Sequence, residues 1–319
     1  MRDSPSGLAP GDITVRTQAP NISRSSSFAR TERWRWWGGA AFAVVLLAIF
    51  GQPLLSLISY AAGSQLYSYI LLIPFVSGYL LYVRRDRFPK QYATDLPMAV
   101  VFLLVGLGIL VFTFSLDFTG QALARSERIP LRTLSFLCCL VAGGFFFFGR
   151  TWMRAAAFPL AYLIFMVPLP EPMADALEQA SSAASAEMAN VFFHLSGMPF
   201  LRVGKIFQLP NITLEVAQEC SGIRSSLVLF ITSILAANMF LKTTWRRLAL
   251  VLVVLPLGIL RNGFRILVIG LLCVHVGPQM IHSLIHRRGG PLFFVLSLVP
   301  LLLFLWLLRK GDEKARHAK

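Results

Sequence analysis

The sequence is poor in charged residues. Only 14% of its 319 residues are charged, whereas 56% are hydrophobic, and the mean hydropathy is +0.66. A soluble domain cannot bury so much apolar surface, which excludes an ordinary soluble globular protein. Apolar runs close to the ~20 residues needed to cross a bilayer recur along the chain. The composition therefore predicts an all-α, polytopic integral membrane protein whose main solvent is the lipid bilayer.

Acidic residues are particularly scarce, with 15 Asp and Glu against 30 Lys and Arg, and the net charge is +15. In a soluble chain this excess would suggest a nucleic-acid partner. Here the basic residues lie mainly at the ends of apolar runs, so no nucleic-acid binding is predicted. With the N-terminus placed inside, about two thirds of the Lys and Arg residues fall in cytoplasmic segments. We therefore expect both termini to be cytoplasmic.

Hydropathy predicts about eight transmembrane helices and one long outer loop. The spans are expected at 38–60, 66–83, 97–115, 131–148, 155–169, 222–241, 248–275 and 291–308. The outer loop, 170–221, joins the fifth and sixth spans, and its sequence favours a helix followed by a short extended pair. The transmembrane domain thus covers 38–308. Residues 1–37 show no cleavable signal pattern and are expected to form a disordered basic cytoplasmic tail, and 309–319 a second basic tail.

Cysteine is also rare. The four residues are Cys138, Cys139, Cys220 and Cys273, and none forms a CxxC pair. This pattern indicates neither a disulfide framework nor a zinc site, and no metal or other cofactor is predicted. Three of the four lie inside apolar runs, where cysteine behaves as a small hydrophobic residue. Cys220 differs, because it lies in "VAQECSGIRSSLVLF" (216–230) at the edge of the sixth span, four residues before Arg224.

Polar residues from several spans are expected to meet at the outer rim. If the turn between spans six and seven is centred in "KTTWRR" (242–247), Arg224 and Arg265 lie at similar depth, with Cys220 one turn further out. Arg261 shares a helix face with Arg265, and the "NG" pair between them is expected to loosen the helix. "IHSLIHRRGG" brings two histidines, His282 and His286, to the same rim.

This set of residues suits thiol-based acyl transfer. A cysteine at a helix N-terminus near arginines favours the thiolate, a histidine can take and return the proton, and a guanidinium can stabilise an oxyanion. Taken singly, each residue also has a structural reading. Cys220 can be a packing residue and the arginines can extend to the interface. Glu219 can be a solvated loop charge or the partner of an arginine.

Three segments resemble the signatures of the exosortase/archaeosortase family of membrane cysteine transpeptidases. They are "ECSGIRSS", "RNGFRILVIG" and "HRRGGPLFF". The family pattern is Cys-Ser-Gly-Ile-Arg, then Asn-x-x-Arg, then a histidine followed by a glycine and two phenylalanines. The matching residues are Cys220 to Arg224, Asn262 to Arg265, and His286 with Gly290, Phe293 and Phe294. The resemblance extends over roughly residues 40–308.

The resemblance implies a nucleophile, Cys220, an essential arginine, Arg265, and a third catalytic member, His286. Arg224, Arg261, Asn262 and Glu219 would support them. Its substrates would be membrane-anchored proteins with a C-terminal sorting tail, made of a short motif, a transmembrane helix and a basic cluster, and the acyl acceptor stays open. The family is linked in bacteria to exopolysaccharide gene clusters. This implies a bacterial inner membrane protein with its active site near the outer face.

One segment departs from the family pattern, and two other functions are compatible with the sequence. Many family members carry an acidic residue and Ser-His-Gly ahead of the second span, where this chain has "SQLYSYIL". The recognised tail motif is therefore open. The alternatives are a transporter or export component for lipid-linked polysaccharide, whose arginines would bind an anionic head group, and a histidine-dependent membrane acyltransferase. Neither would need Cys220.

Overall fold

The structure is a computed structural model that describes residues 22–64, 66–89, 92–120, 123–210, 212–216, 222–277, 279 and 290–317. Its helices are α1 (Ile22–Ile49), α2 (Gly51–Gly63), α3 (Ile73–Val83), α4 (Leu96–Phe118), α5 (Arg125–Phe147), α6 (Gly149–Ala155), α7 (Ala157–Tyr162), α8 (Glu171–Ser196), α9 (Ile223–Phe240), α10 (Thr244–His275) and α11 (Gly290–His317). The strands are β1 (Leu201–Val203), β2 (Ile206–Leu209) and β3 (Ile212–Glu215). Both α1 and α11 extend into the segments that the sequence analysis placed outside the membrane domain, since α1 begins at Ile22 and α11 ends at His317.

The predicted spans correspond to three kinds of element. Among the described residues, five helices are long and apolar enough to cross a membrane, or seven spans if each of two bent helix pairs counts as one. The five are α4, α5, α9, α10 and most of α11. The bent pairs replace the first and fifth predicted spans, and the second is a shorter apolar helix, Ser68–Val83. The chain is therefore a multi-pass helical membrane protein.

The first predicted span is broken between α1 and α2, whose axes differ by 66°. Pro53 lies in the first turn of α2. Its ring cannot donate a hydrogen bond and clashes with the carbonyl four residues earlier, at the end of α1. Buried residues of α1, α2 and α5 then pack together, with Phe50 against Phe136 at a ring distance of 5.6 Å.

The long connection between the fifth and sixth predicted spans contains α8 and a small sheet. The helix was predicted, and three antiparallel strands in the order β1-β2-β3 replace the predicted extended pair. Phe193 of α8, Phe207 of β2 and Ile266 of α10 belong to one buried cluster. Arg202 of β1 donates two hydrogen bonds, of 2.9 and 2.5 Å, to Glu187 of α8, which raise the pKa of Arg202. The sheet is thus fixed to α8, and α8 to α10.

Small residues allow the helices around α10 to approach closely. A Cβ at Gly258 would lie 2.7 Å from Ser226 Oγ of α9, and one at Gly263 would lie 2.8 Å from Met188 Cβ of α8. Close approach at such residues is typical of helix packing in membranes. The "NG" pair, Asn262 and Gly263, was expected to loosen the helix. It instead lies within a continuous α10, and Gly263 packs against α8.

Candidate active site

The first turn of α9 is fixed against α10 by Arg261. Its Nη2 donates hydrogen bonds to the Gly222 carbonyl oxygen at 3.0 Å and to Ser226 Oγ at 3.1 Å. Gly222 has φ 67°, in the left-handed region, and a Cβ there would lie 2.8 Å from Asn262 Oδ1. A glycine is therefore required for two reasons, the backbone conformation and the close approach of α10.

The register of α9 and α10 differs from the expected one. The helices are antiparallel, but Arg261, and not Arg265, lies opposite the start of α9. The reason is the connection. Helix α9 ends at Phe240 and α10 begins at Thr244, so the turn is centred near residue 242 and not in the middle of 242–247, as expected. The shift places Arg265 one helical turn beyond Arg261 and past the N-terminus of α9.

The chain that leads to Cys220 is also fixed, on the side of α8. Ser182 Oγ donates a hydrogen bond of 3.1 Å to the carbonyl oxygen of Val216, and both residues are buried. The Val216 amide donates to the Lys205 carbonyl at 3.0 Å, which continues the pairing of β3 with β2. The described chain stops at Val216 and resumes at Gly222. Its two ends are thus attached to α8 and to α10.

Of the remaining predicted site residues, three lie within the described chain and three lie outside it. Asn262 is buried, with 1% of its surface exposed, and Arg265 is half-buried. Arg224 is exposed on α9 and donates a 3.4 Å hydrogen bond to Ser68 Oγ. Three predicted members, Cys220, Glu219 and His286, lie outside the described residues, as does His282.

Arg261 provides positive charge in a nearly dry environment. Only 7% of it is exposed, and its Nη1 has no hydrogen-bond partner among the described residues. Burying an arginine in a membrane helix is costly unless its donors are used. Two of its contacts hold the start of α9, so its position is structurally defined. Within the described part of the chain, no three His, Cys, Asp or Glu side chains are grouped as metal ligands would be.

The start of the outer connection joins the same end of the bundle. The Tyr67 hydroxyl donates a 3.1 Å hydrogen bond to the Leu169 carbonyl, and burial raises the pKa of Tyr67. Ser68, its neighbour, accepts from Arg224 of α9. These contacts connect the turn before α3, the chain before α8 and the first turn of α9.

Sequence reasoning missed the supporting residues of this site. The role of Ser182 could not be read from a polar helix rich in small residues, and Ser226 had no signal beyond its place after the cysteine motif. Gly222 did have a signal in the sequence. It lies close to the start of a predicted helix and two residues after Cys220, and glycine readily adopts a left-handed conformation at such a position. Arg261 was assigned a supporting role, but its contacts with Gly222 and Ser226 were not foreseen.

Comparison with protein families identifies this region of the chain. The family model described as transmembrane exosortase matches residues 60–303. The matched region includes α9, α10 and the connection through which the chain reaches Cys220. Neither the curated proteins nor the solved structures contain a match to the chain.

Proposed function

This chain belongs to the transmembrane exosortase family, and from that premise we propose that it is a membrane cysteine protease/transpeptidase. Its substrates are exported proteins that end in a short motif, a transmembrane helix and a basic cluster. The enzyme cuts near the motif and forms a thioacyl intermediate on Cys220. It works in the bacterial inner membrane, with both termini in the cytoplasm and the site near the outer face.

The observation that carries this proposal is the double attachment of the chain around Cys220. Val216 is bonded to Ser182 of α8, and Gly222 to Arg261 of α10. A nucleophile must be held in a defined position to attack a carbonyl efficiently. A segment fixed at both ends and leading into a helix N-terminus meets that need, because the helix dipole there favours a thiolate.

The proposed reaction begins with attack of the Cys220 thiolate on the scissile carbonyl carbon. The new S–C bond places negative charge on the carbonyl oxygen, which the Arg265 guanidinium stabilises. The C–N bond then breaks, and the imidazolium of His286 gives its proton to the departing amine of the tail. An acceptor with an O–H or N–H group attacks the thioester, loses its proton to His286, and releases the thiolate.

The structure suggests different roles for the two arginines of α10. Arg261 already uses its Nη2 to hold Gly222 and Ser226, so we assign it as a positioning residue together with Asn262. Arg265 lies one turn further, past the start of α9, on the side from which the chain arrives. That place suits contact with the substrate carbonyl. Arg224 and Glu219 are assigned supporting roles in orienting the same segment.

The proposal is tested by co-expression with a reporter that ends in a candidate sorting tail. Cys220→Ala is expected to abolish cleavage of the reporter while the protein inserts in normal amount. Cys138→Ala, at a half-buried cysteine of α5, is the matched control and should cleave normally. Hydroxylamine should release the substrate from a trapped thioacyl enzyme. Full cleavage by Cys220→Ala would overturn the proposal, because no thioacyl intermediate can form there without the thiol.

A further inference from the structure

A cavity lined by arginines lies between α2 and α5. It has a volume of about 260 Å³. Its lining residues are Gln52, Pro53 and Ser56 of α2 and Arg125, Arg128, Ile129 and Arg132 of α5. The α5 residues follow the three- and four-residue spacing of a single helix face, so the arginines point to the same side over about 10 Å of the helix.

The cavity has an excess of positive charge. One carboxylate, Asp117 of α4, is shared by Arg132 at 2.6 Å and Arg128 at 3.7 Å. The Nε atoms of these two arginines are buried and have no hydrogen-bond partner within the described chain. Two guanidinium groups therefore share one carboxylate, and Arg125 adds a third positive charge to the lining of the cavity.

The arginines are held in place by the protein. Arg125 Nη2 donates to Ser59 Oγ at 2.7 Å, and Arg128 Nη2 to the Leu123 carbonyl at 2.8 Å. The Arg132 guanidinium also lies 4.9 Å from the Phe114 ring centre. Guanidinium groups fixed in this way form a preorganised site for oxygen anions, because their planar donors match phosphate oxygens.

The arginines lie at the end of the bundle that carries the start of α9. Ser126, next to Arg125, donates a 2.8 Å hydrogen bond to Glu171 at the start of α8. The chain just before Glu171 is bonded to Tyr67, and Ser68 to Arg224 of α9. The arginines occupy the first two turns of a membrane-spanning helix, the depth at which lipid phosphates meet the protein.

We propose that this cavity binds the phosphate group of an anionic ligand at the bilayer surface, and that its ligand class is phosphate esters of the kind carried by anionic lipid headgroups. This inference goes beyond the transpeptidase activity and does not depend on it. Arginines that outnumber their carboxylate partners in a membrane span are costly and are retained where they meet an anion. An anionic phosphate would supply the charge that Asp117 alone does not.

Thermal unfolding of the purified full chain in neutral detergent tests the proposal. The probes are dihexanoyl phosphatidylglycerol, dihexanoyl phosphatidylcholine and inorganic phosphate. Phosphatidylglycerol should raise the melting temperature in a saturable way and phosphatidylcholine should not. Arg128→Gln should weaken the apparent affinity about tenfold, since one charge-assisted contact is lost. Ser56→Phe, which fills the cavity without changing charge, should abolish the shift.

Arg150→Gln is the matched control, because Arg150 is an exposed arginine of α6 beyond the other end of α5. It should leave the phosphatidylglycerol shift unchanged. A shift from inorganic phosphate that the same two variants remove supports the site and identifies free phosphate as a source. An equal response to both lipids, or a shift that survives Ser56→Phe, overturns the proposal. Ser56→Phe also decides the matter if Arg128→Gln fails to fold.

Discussion

Arg261 Nη2 lies 3.0 Å from the carbonyl oxygen of Gly222, two residues after Cys220 in the chain. This one hydrogen bond joins the middle of α10 to the start of α9. Because Arg261 is almost fully buried, the contact is protected from water and from competing donors. The start of α9 is therefore held by a residue that the family pattern does not place in the catalytic set.

Arg261→Lys should lower both stability and cleavage. A lysine presents a single ammonium in place of a planar fork, and it cannot reproduce the buried geometry that holds Gly222 and Ser226. We expect a loss of about 2 kcal/mol in unfolding free energy, the scale of hydrogen bonds to charged groups. Ser226→Ala removes only one acceptor and should cost about 1 kcal/mol. Denaturant unfolding in micelles measures both, and equal stability of Arg261→Lys and the wild type would refute the role.

Gly222→Ala should be more damaging than an alanine at another glycine with positive φ. Gly204 has φ 62° and open space around it, whereas at Gly222 a Cβ meets Asn262 at 2.8 Å. Gly204→Ala should therefore show backbone strain alone, about 1 kcal/mol. Gly222→Ala should add the overpacking cost of about 1–3 kcal/mol. Unfolding and reporter cleavage are compared in parallel, and similar losses for the two variants would contradict the expected contact.

Ser182→Ala and Ser185→Ala form a matched pair on one face of α8. Both residues are fully buried, but only Ser182 has a partner for its hydroxyl, the Val216 carbonyl; Ser185 Oγ has none within the described chain. Ser182→Ala should cost about 1–3 kcal/mol, because the carbonyl loses a buried donor. Ser185→Ala should be neutral or stabilising. Equal effects of the two substitutions would show that the hydrogen bond to Val216 does not hold the segment.

Gly263→Ala should push α8 away from α10. The added methyl would lie 2.8 Å from Met188 Cβ and 3.1 Å from the Ala189 amide nitrogen. Overpacking of this kind costs about 1–3 kcal/mol. Gly108→Ala in α4, where nothing lies within 4 Å, should instead be neutral or gain up to about 1 kcal/mol of helix propensity. Melting temperatures of the two variants, measured in the same detergent, test this difference. A neutral Gly263→Ala would contradict the close packing of α8 against α10.

Asp312→Ala should loosen the connection that sets the helix register. Asp312 accepts hydrogen bonds from the Lys242 amide at 3.0 Å, from Thr243 Oγ1 at 2.5 Å and from Arg246 Nη1 at 2.5 Å. Its removal leaves Arg246 largely buried without its carboxylate, at a cost of about 3–5 kcal/mol. Glu313→Ala, in an exposed pair with Arg309, should cost less than about 1 kcal/mol. Thermal unfolding compares Asp312→Ala with Glu313→Ala. Indistinguishable melting temperatures of the two variants would show that Asp312 does not stabilise the connection between α9 and α10.

The sequence alone was sufficient to predict a multi-pass helical membrane protein and its family. Hydropathy and charge placement depend on composition over about 20 residues, so they predict membrane helices without tertiary information. The break at Phe50 was missed, because hydropathy averages over the whole apolar run 38–60 and does not register a local bend. The three signature segments led to the family that the comparison then confirmed.

Only the tertiary structure decided which residues face each other. A change of a few residues in where a turn is centred moves a contact by a full helical turn, and the sequence did not reveal that α10 begins at Thr244. Arg261 therefore lies opposite Gly222, whereas the predicted register had set Arg265 level with Arg224. The arginine cavity between α2 and α5 likewise depends on packing between distant segments, since the helical spacing of Arg125, Arg128 and Arg132 does not indicate which helix covers them.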